Sequence, residues 1–195
     1  MVRIAIVGSH STGKSTLTRA VAEALRARSL RCHAAPEPIS ILTAKGRHRE
    51  PVQLALDLVA EHFRRLDVPD TDIVLLDRSL LDCQAYLRAD NMGGPAVYDL
   101  IDALMPSYCA RLDLVVYLPI EFAVVPDVRR PLNESYRAAI DEQIKGIAAA
   151  QGLALFEVRG TPEQRLHRVL AAIEECLADP SDMPANRQDL RRQSR

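Results

Sequence analysis

The segment VRIAIVGSHSTGKST, residues 2–16, decides the fold of this chain. Its first part, residues 2–7, is a β-branched apolar run that predicts a buried strand. Apolar residues then recur at helical spacing from Lys14 to about Arg28 and predict an amphipathic helix. Between the two elements, residues 8–15 fit the pattern G-x-x-x-x-G-K-[ST], which is typical of a loop that binds phosphate.

Each residue type in this loop has a physical role in holding a phosphate chain. Glycine lets the backbone turn so that successive N–H groups point inward and form an anion-binding nest. The helix that begins near Lys14 adds the positive end of its dipole, and Lys14 itself supplies a cation on a flexible side chain. The Ser15 hydroxyl is a ligand for Mg²⁺. The predicted nucleotide-binding residues are Gly8, Ser9, His10, Ser11, Thr12, Gly13, Lys14, Ser15 and Thr16.

Strand and helix patterns alternate along the rest of the chain. Four more strands are predicted over residues 30–35, 72–77, 112–118 and 153–158. Helices are predicted over residues 51–66, 80–87 and 96–104, and after the capping residues Asn133 and Thr161. This alternation predicts a three-layer, doubly wound α/β fold with a parallel sheet of about five strands. We expect one domain over residues 1–178 and a polar tail over residues 179–195.

The composition excludes several other classes of function. Hydrophobic residues make up 48% of the 195 residues, so a full core can form, yet no apolar run approaches the ~20 residues of a membrane span. With a net charge of −1, the chain has no overall attraction for nucleic acid or anionic lipid. The four cysteines form no C-x-x-C pair, which argues against a zinc site. We therefore expect a cytoplasmic protein with a small-molecule partner and neither a nucleic-acid nor a membrane partner.

A second candidate group, Asp77-Arg78-Ser79, stands at the end of the strand predicted over residues 72–77. Parallel strands present their carboxyl ends at one edge of the sheet, where ligands bind, so this group should lie near the phosphate loop. Asp77 would hold Mg²⁺ directly or through water, and Arg78 would reach a phosphate or the acceptor. The alternative is a surface Asp–Arg pair that opens a helix, with Ser79 in the first turn.

Two loops supply the remaining candidates for catalysis. Glu37 follows the second predicted strand and could take a proton from an attacking hydroxyl, the alternative being a solvated acid in a turn. Arg129 and Arg130 lie between prolines in the segment 119–132, a predicted lid that could close over a triphosphate, unless it is an ordinary solvated loop. The sequence does not distinguish between the two arginines.

The acceptor would bind to residues 38–71, which lie between the second and third strands. The polar candidates there and after the Asp-Arg-Ser triplet are Gln53, His62, Arg64, Arg65, Tyr86 and Arg88. At the last strand, Gly160 and Thr161 are candidates to border the adenine.

Together these motifs resemble the P-loop nucleoside and nucleotide kinases over about residues 1–178. They are most similar to the deoxynucleoside and thymidylate kinases and to AAA ATP-binding proteins related to ribosylnicotinamide kinase. The resemblance implies a P-loop NTPase fold with ATP and Mg²⁺ as cofactors. In deoxynucleoside kinases, a Glu-Pro after the second strand provides the general base, as Glu37 would here. Those enzymes also carry an acid-Arg-Ser triplet after the third strand and lid arginines after the fourth.

The chain departs from the deoxynucleoside kinases at two points. Its triplet begins with Asp77 where those enzymes have Glu, and no aromatic residue follows Glu37-Pro38 to stack a base. The second departure argues against a deoxynucleoside substrate.

We expect a kinase that moves the γ-phosphate of ATP to a small acceptor, either a nucleoside or a nucleotide. The alternative is a P-loop ATPase or regulatory nucleotide switch that acts on a protein partner. The chain contains neither the N/T-K-x-D motif of GTPases nor an LSGGQ-like stretch. The acceptor's identity and the oligomeric state, for instance a homodimer, stay open at this point.

Overall fold

The computed structural model describes residues 1–44, 50–123 and 133–178 of the chain. In these residues, five parallel strands form one sheet with the order β2-β3-β1-β4-β5. The strands are β1 Val2–Val7, β2 Cys32–Ala35, β3 Ile73–Asp77, β4 Leu114–Tyr117 and β5 Phe156–Glu157. The prediction of a doubly wound α/β fold with a parallel sheet is confirmed. Most of the predicted lid, residues 124–132, and the predicted tail, residues 179–195, lie outside the described residues.

The helices of the described residues are α1 Lys14–Ala27, α2 Pro38–Ala44, α3 Pro51–Arg64, α4 Leu80–Ala89, α5 Gly94–Cys109, α6 Glu134–Ala150 and α7 Pro162–Ala178. The sequence patterns predict all of them except α2. Pro38 is the first residue of this short helix. Proline is tolerated in the first turn of a helix because an N–H there would have no intrahelical partner. Among the described residues, we find no helix with the length and apolar character needed to span a membrane.

The two predicted helix caps are present. The Asn133 side chain accepts a hydrogen bond from the Tyr136 N–H, 3.1 Å long, at the start of α6. Thr161 and Gln164 form a reciprocal capping box before α7, in which each side chain accepts the other residue's backbone N–H. These caps fix where α6 and α7 begin, and both helices start beside the phosphate loop.

Apolar helices cover both faces of the sheet and produce the three layers. On one face, Ile4 and Ile6 of β1 belong to a buried cluster with α1 and α7. On the other face, Ala5 and Val7 of β1 belong to a second buried cluster, to which α3, α4, α5 and α6 contribute. Because side chains alternate along a strand, the central strand β1 contributes to both clusters and is buried on both sides.

The parallel register brings the functional segments to one edge of the sheet. Ile6 of β1 lies opposite Asp77 of β3, and Val7 lies opposite Tyr117 of β4. The loops that follow these strands, and the one that follows β2, therefore open on the same side. The phosphate loop lies in the middle of this edge because β1 is the central strand.

Candidate active site

The phosphate loop adopts the conformation that its glycines permit. Ser11 and Gly13 have left-handed backbone, with φ of 57° and 91°, and turns of this kind aim successive N–H groups to one side. Gly8, with φ of 143°, approaches the backbone after β4 closely. A Cβ atom at Gly8 would lie 2.5 Å from the Leu118 carbonyl oxygen, so any side chain there would displace the loop.

Two buried arginines hold the outer side of the loop by its carbonyl groups. Arg137 of α6 donates from Nε to the His10 carbonyl, 3.0 Å, and from Nη2 to the Ser11 carbonyl, 3.2 Å. Arg165 of α7 donates from Nη1 to the Thr12 carbonyl, 2.6 Å. Since the carbonyl and the N–H of one peptide plane point in opposite directions, carbonyls held outward leave the adjoining N–H groups facing inward.

The sequence analysis missed both arginines, although the pattern carries a signal for them. Arg137 lies at helical spacing with Ile140 and Ile144 in the buried stripe of α6, and Arg165 precedes Val169 by one turn in that of α7. Arginine is almost never fully buried unless it is paired. A charged residue in an apolar stripe therefore indicates an internal partner.

We predict that replacing Arg137 with methionine destabilises the protein by about 2 kcal/mol or more, because it removes the donor to buried backbone carbonyls. Those carbonyls belong to His10, Ser11 and Phe122. Urea unfolding measures the change. Arg19→Met, at an exposed position of α1, is the matched control and should change stability by less than about 0.5 kcal/mol. Equal stabilities of the two variants would contradict this role.

Lys14 lies folded back against the loop. Its side chain is buried, and Nζ donates to the Ser9 carbonyl and to Thr12 Oγ1, the latter at 3.3 Å. The Thr12 hydroxyl donates in turn to the Ser9 carbonyl, 2.9 Å. The predicted residues Ser15 and Thr16 are exposed at the start of α1. The Lys14 ammonium group and the hydroxyls of Ser15 and Thr16 thus belong to the first turn of α1, directly after the loop.

Asp77 stands at the end of β3, where the sequence predicts a metal-binding acid. Its side chain is buried, and Oδ1 accepts no hydrogen bond from any described residue. A buried carboxylate oxygen without a donor fits a hard cation such as Mg²⁺, and the Ser15 hydroxyl is the second ligand that the sequence predicts. No group of three or more acidic, histidine or cysteine side chains could hold a metal within the described segments. Phosphate and water oxygens would complete the shell, as is usual for Mg²⁺.

A second acid, Asp82, is fully buried in the first turn of α4, and the sequence analysis missed it. Oδ2 accepts the N–H and the hydroxyl of Ser79, at 2.9 and 3.2 Å, and Oδ1 accepts the N–H of Gly8 at 3.1 Å. Burial raises the pKa of Asp82, while the positive charges of Arg78 and Lys14 oppose that rise. Ser79 is the N-cap of α4 and not a first-turn residue, and its spacing to Asp82 was the available signal.

Glu37 and Arg78, predicted from two separate strand ends, form an ion pair. Arg78 Nε lies 2.5 Å from Glu37 Oε1, and both side chains are largely buried. The Arg78 guanidinium also lies over the Tyr86 ring, 4.9 Å from its centre. Its backbone has a φ of 67°, which is uncommon for a residue with a side chain and occurs at functional sites where the surroundings enforce it.

A cleft of about 740 Å³ adjoins the phosphate loop, a volume typical of small-molecule sites. Its walls come from α2, α3, α4 and α6 and from the segments that follow β1, β2 and β3. The lining residues are His10, Glu37, Pro38, Ile39, Ser40, Thr43, Leu54, Leu58, His62, Arg78, Cys83, Tyr86, Leu87, Asp90, Met92 and Tyr136. The cleft therefore joins the Glu37–Arg78 pair to His10 of the phosphate loop.

Aromatic side chains line this cleft, although the segment directly after Glu37-Pro38 contains none. The rings of His10, Tyr86 and Tyr136 lie 6.1 to 6.4 Å from one another, centre to centre. His10 Nδ1 is 3.2 Å from the Tyr86 hydroxyl, and the Tyr136 hydroxyl donates to Asp90 at 2.6 Å. Rings are therefore present in the cleft, supplied by the phosphate loop, α4 and α6, so their absence after β2 no longer argues against a deoxynucleoside substrate.

The structure separates the predicted acceptor-binding residues into two groups. His62 and Tyr86 line the cleft. The other four lie elsewhere: Gln53 binds Asp57, Arg64 pairs with Glu61, Arg88 pairs with Asp102, and Arg65 donates to the Asp77 carbonyl at 2.9 Å. Sequence alone cannot separate the two groups, because consecutive positions of one helix face different sides.

His62 is 2% exposed in the wall of the cleft, and its Nδ1 has no hydrogen-bond partner among the described residues. Its ring meets the Tyr108 ring edge-on, with centres 6.2 Å apart. Burial, together with the charges of Arg65 and Arg78, lowers the pKa of His62 well below its usual range. The imidazole is therefore neutral near pH 7 and offers the cleft a hydrogen-bonding group without charge.

We predict that His62 makes the fold sensitive to acid. An unfolded histidine binds a proton below about pH 6.5, whereas folded His62 binds one only at lower pH, so the unfolded chain takes up more protons. Stability should fall by up to about 1.4 kcal/mol per pH unit below pH 6.5 through this residue. His62→Phe should reduce the loss between pH 7 and pH 5.5 in urea unfolding, whereas His33→Phe, at an exposed position, should not. An unchanged pH dependence in the first variant would contradict the assignment.

The predicted lid arginines, Arg129 and Arg130, lie outside the described residues. The backbone just before that segment is held, because the Phe122 carbonyl accepts Arg137 Nη1 at 2.6 Å. Glu121 accepts Arg165 Nη2 at 2.5 Å and the Gly160 N–H at 3.1 Å. Gly160, predicted to border the adenine, is thus linked through Glu121 and Arg165 to the phosphate loop.

A parallel sheet of this order, with a glycine-lysine loop between the central strand and α1, defines a P-loop protein with a nucleoside kinase-like fold. The chain belongs to the AAA domain family AAA_28, whose model matches residues 3–165. No curated protein sequence matches the chain significantly.

Solved structures with the same fold include three nucleotide-binding proteins. Deoxyadenosine kinase from M. mycoides, with dCMP and dCDP bound, has a TM-score of 0.56 at 16% identity over 89% of this chain and 99% of its own. NadR in complex with NR has a TM-score of 0.62 at 20% identity, and this chain spans 50% of its length. YorR from Bacillus subtilis, in complex with phosphorylated GDP, has a TM-score of 0.57 at 14% identity over 89% of this chain and 96% of its own. At these identities the likeness shows the fold.

Proposed function

We propose that the protein is an ATP-dependent kinase that transfers the γ-phosphate to a nucleoside or nucleotide held in the cleft. The observation that carries the proposal is the continuity of two sites: His10 belongs to the phosphate loop and also lines the cleft that contains the Glu37–Arg78 pair. A regulatory switch needs a phosphate site but no second small-molecule site, so the cleft favours a kinase. The nucleoside and nucleotide ligands of deoxyadenosine kinase and NadR support the choice of acceptor.

The phosphate loop would bind the triphosphate. Its inward N–H groups and the start of α1 would hold the β- and γ-phosphates, and Lys14 would exchange the Ser9 carbonyl for a phosphate oxygen. Ser15 and Asp77 would hold Mg²⁺, which when bound neutralises phosphate charge. Apart from this movement of Lys14, the proposed role needs no rearrangement of the loop backbone, which favours binding.

The Glu37–Arg78 pair would act on the acceptor. Glu37 would accept a hydrogen bond from the acceptor hydroxyl and take its proton as that oxygen attacks phosphorus. The positive charge of Arg78 would stabilise the negative charge of the transferring phosphoryl group from the cleft side. Arg129 and Arg130 would stabilise the same charge from the lid side, which remains a prediction from the sequence.

The test of the proposed function is acceptor-dependent release of ADP. The protein, ATP and Mg²⁺ would be combined with single nucleosides and nucleoside monophosphates, and ADP would be followed by a coupled assay. We expect at least one of these compounds to raise ADP release well above the rate with ATP alone. If ADP release is the same with and without every acceptor, the protein hydrolyses ATP or only binds it, and the kinase proposal fails.

We predict that Lys14→Ala abolishes measurable turnover, with kcat/KM reduced by ~10³-fold or more, because no other loop side chain carries a positive charge to the γ-phosphate. The fold should persist, since the hydrogen bonds of Nζ to the Ser9 carbonyl and Thr12 Oγ1 lie within the loop. Turnover is compared at equal folded fraction, checked by circular dichroism. A variant that keeps most of its activity would rule out the phosphate-binding role of Lys14.

Glu37→Gln should lower kcat by ~10²–10⁴-fold, because the amide cannot accept the proton of the acceptor hydroxyl. KM for ATP should change by less than about threefold, since Glu37 lies across the cleft from the loop. Glu23→Gln, on the exposed face of α1, is the matched control. If kcat and the affinity for ATP fall together in Glu37→Gln, the residue holds the structure and does not act as the base.

A further inference from the structure

The Asp82 carboxylate makes two different kinds of contact with its two oxygens. Oδ2 accepts the N–H and the hydroxyl of Ser79 and so completes the N-terminal cap of α4. Oδ1 is not needed for the cap and accepts the N–H of Gly8, which is 74 positions away in the sequence. A fully buried acid therefore connects α4 directly to the first residue of the phosphate loop.

Gly8 is the position at which such a contact has most effect on the loop. Its backbone has a φ of 143° and no room for a Cβ beside the Leu118 carbonyl, so the loop leaves β1 along a narrowly defined path. The hydrogen bond from Gly8 to Asp82 fixes the peptide plane at the start of that path. The arginine contacts described above fix the planes further along, at His10, Ser11 and Thr12.

The helix at the other end of this contact belongs to the acceptor cleft. Cys83, Tyr86 and Leu87 of α4 line the cleft, and Arg78, just before the helix, pairs with Glu37. Arg137 and Arg165 reach the loop from α6 and α7, whereas Asp82 reaches it from α4, which contributes three residues to the wall of the cleft. A carboxylate also balances the charges of Lys14 and Arg78, which lie near it in the interior.

We propose that Asp82 is a positioning residue that holds the phosphate loop against the acceptor helix and thereby sets the loop's affinity for a polyphosphate. The proposal rests on the phosphate-binding part of the proposed function. Asparagine at this position has one accepting oxygen instead of two. Its NH₂ group would face either the Gly8 N–H or the Ser79 N–H, and both of these are donors. It can keep the cap or the Gly8 contact, but not both.

Two variants separate this role from that of a helix cap. Asp82→Asn removes one of the two functions of the carboxylate, whereas Ser79→Ala removes a hydroxyl from the cap and leaves the Gly8 contact intact. Isothermal titration calorimetry with Mg²⁺ and either ATP or inorganic tripolyphosphate measures the affinity of the loop. The titrations are made at a temperature at which circular dichroism shows both variants fully folded.

We expect Asp82→Asn to weaken tripolyphosphate binding at least tenfold and Ser79→Ala to change it by less than threefold. Binding of Asp82→Asn within twofold of the wild type would overturn the proposal, and so would equal losses in the two variants. Absence of binding by the wild-type protein would instead overturn the proposed function, and this inference with it.

If Asp82→Asn does not fold, the wild type provides the decisive measurement. A through-hydrogen-bond scalar coupling between the Gly8 amide nitrogen and the Asp82 carboxyl carbon should be detectable in labelled protein and should persist with tripolyphosphate bound. Loss of this coupling on saturation would show that the contact does not belong to the binding state of the loop, and the proposal would fail.

Discussion

The inward orientation of the phosphate-loop N–H groups is possible only because the carbonyls of the same peptides are held on the outside. A short loop that turns through left-handed backbone at Ser11 and Gly13 cannot satisfy those carbonyls internally. Guanidinium groups from α6 and α7 do so, and a carboxylate from α4 holds the first N–H of the loop. Helices from both faces of the sheet therefore meet at this one turn, and the three-layer architecture is what brings them there.

The same edge of the sheet concentrates buried charge, and three of the charged side chains next to the phosphate loop have defined partners. Arg78 faces Glu37, Arg165 faces Glu121, and Asp82 is surrounded by donors. Removing one partner of such a pair in a poorly solvated site is costly, because it leaves the other charge buried and unpaired. Asp77 is the exception, since one of its buried oxygens has no donor among the described residues. This combination, an ordered set of charges and one acidic oxygen left for a cation, is what phosphoryl transfer requires.

The acceptor side is built differently from the phosphate side. Its walls come from helices on one face of the sheet, and they combine apolar side chains with two tyrosines, an aspartate and a neutral histidine. Burial and two nearby arginines lower the pKa of His62 well below its usual range, so its imidazole adds a hydrogen-bonding group without charge to the cleft.

The sequence by itself determined the succession of strands and helices along the chain, the phosphate loop, and the acids and the arginine that follow the strands. These features are local: apolar periodicity and glycine spacing reflect the conformation of neighbouring residues, and strand ends of a parallel sheet share one edge. Only the tertiary structure decided which side chains hold the phosphate loop, namely Asp82, Arg137 and Arg165. It also decided which aromatic rings line the cleft. The three side chains lie 74 to 153 positions from their partners in the loop, and no local pattern specifies which helix face meets which loop once the crossovers have packed.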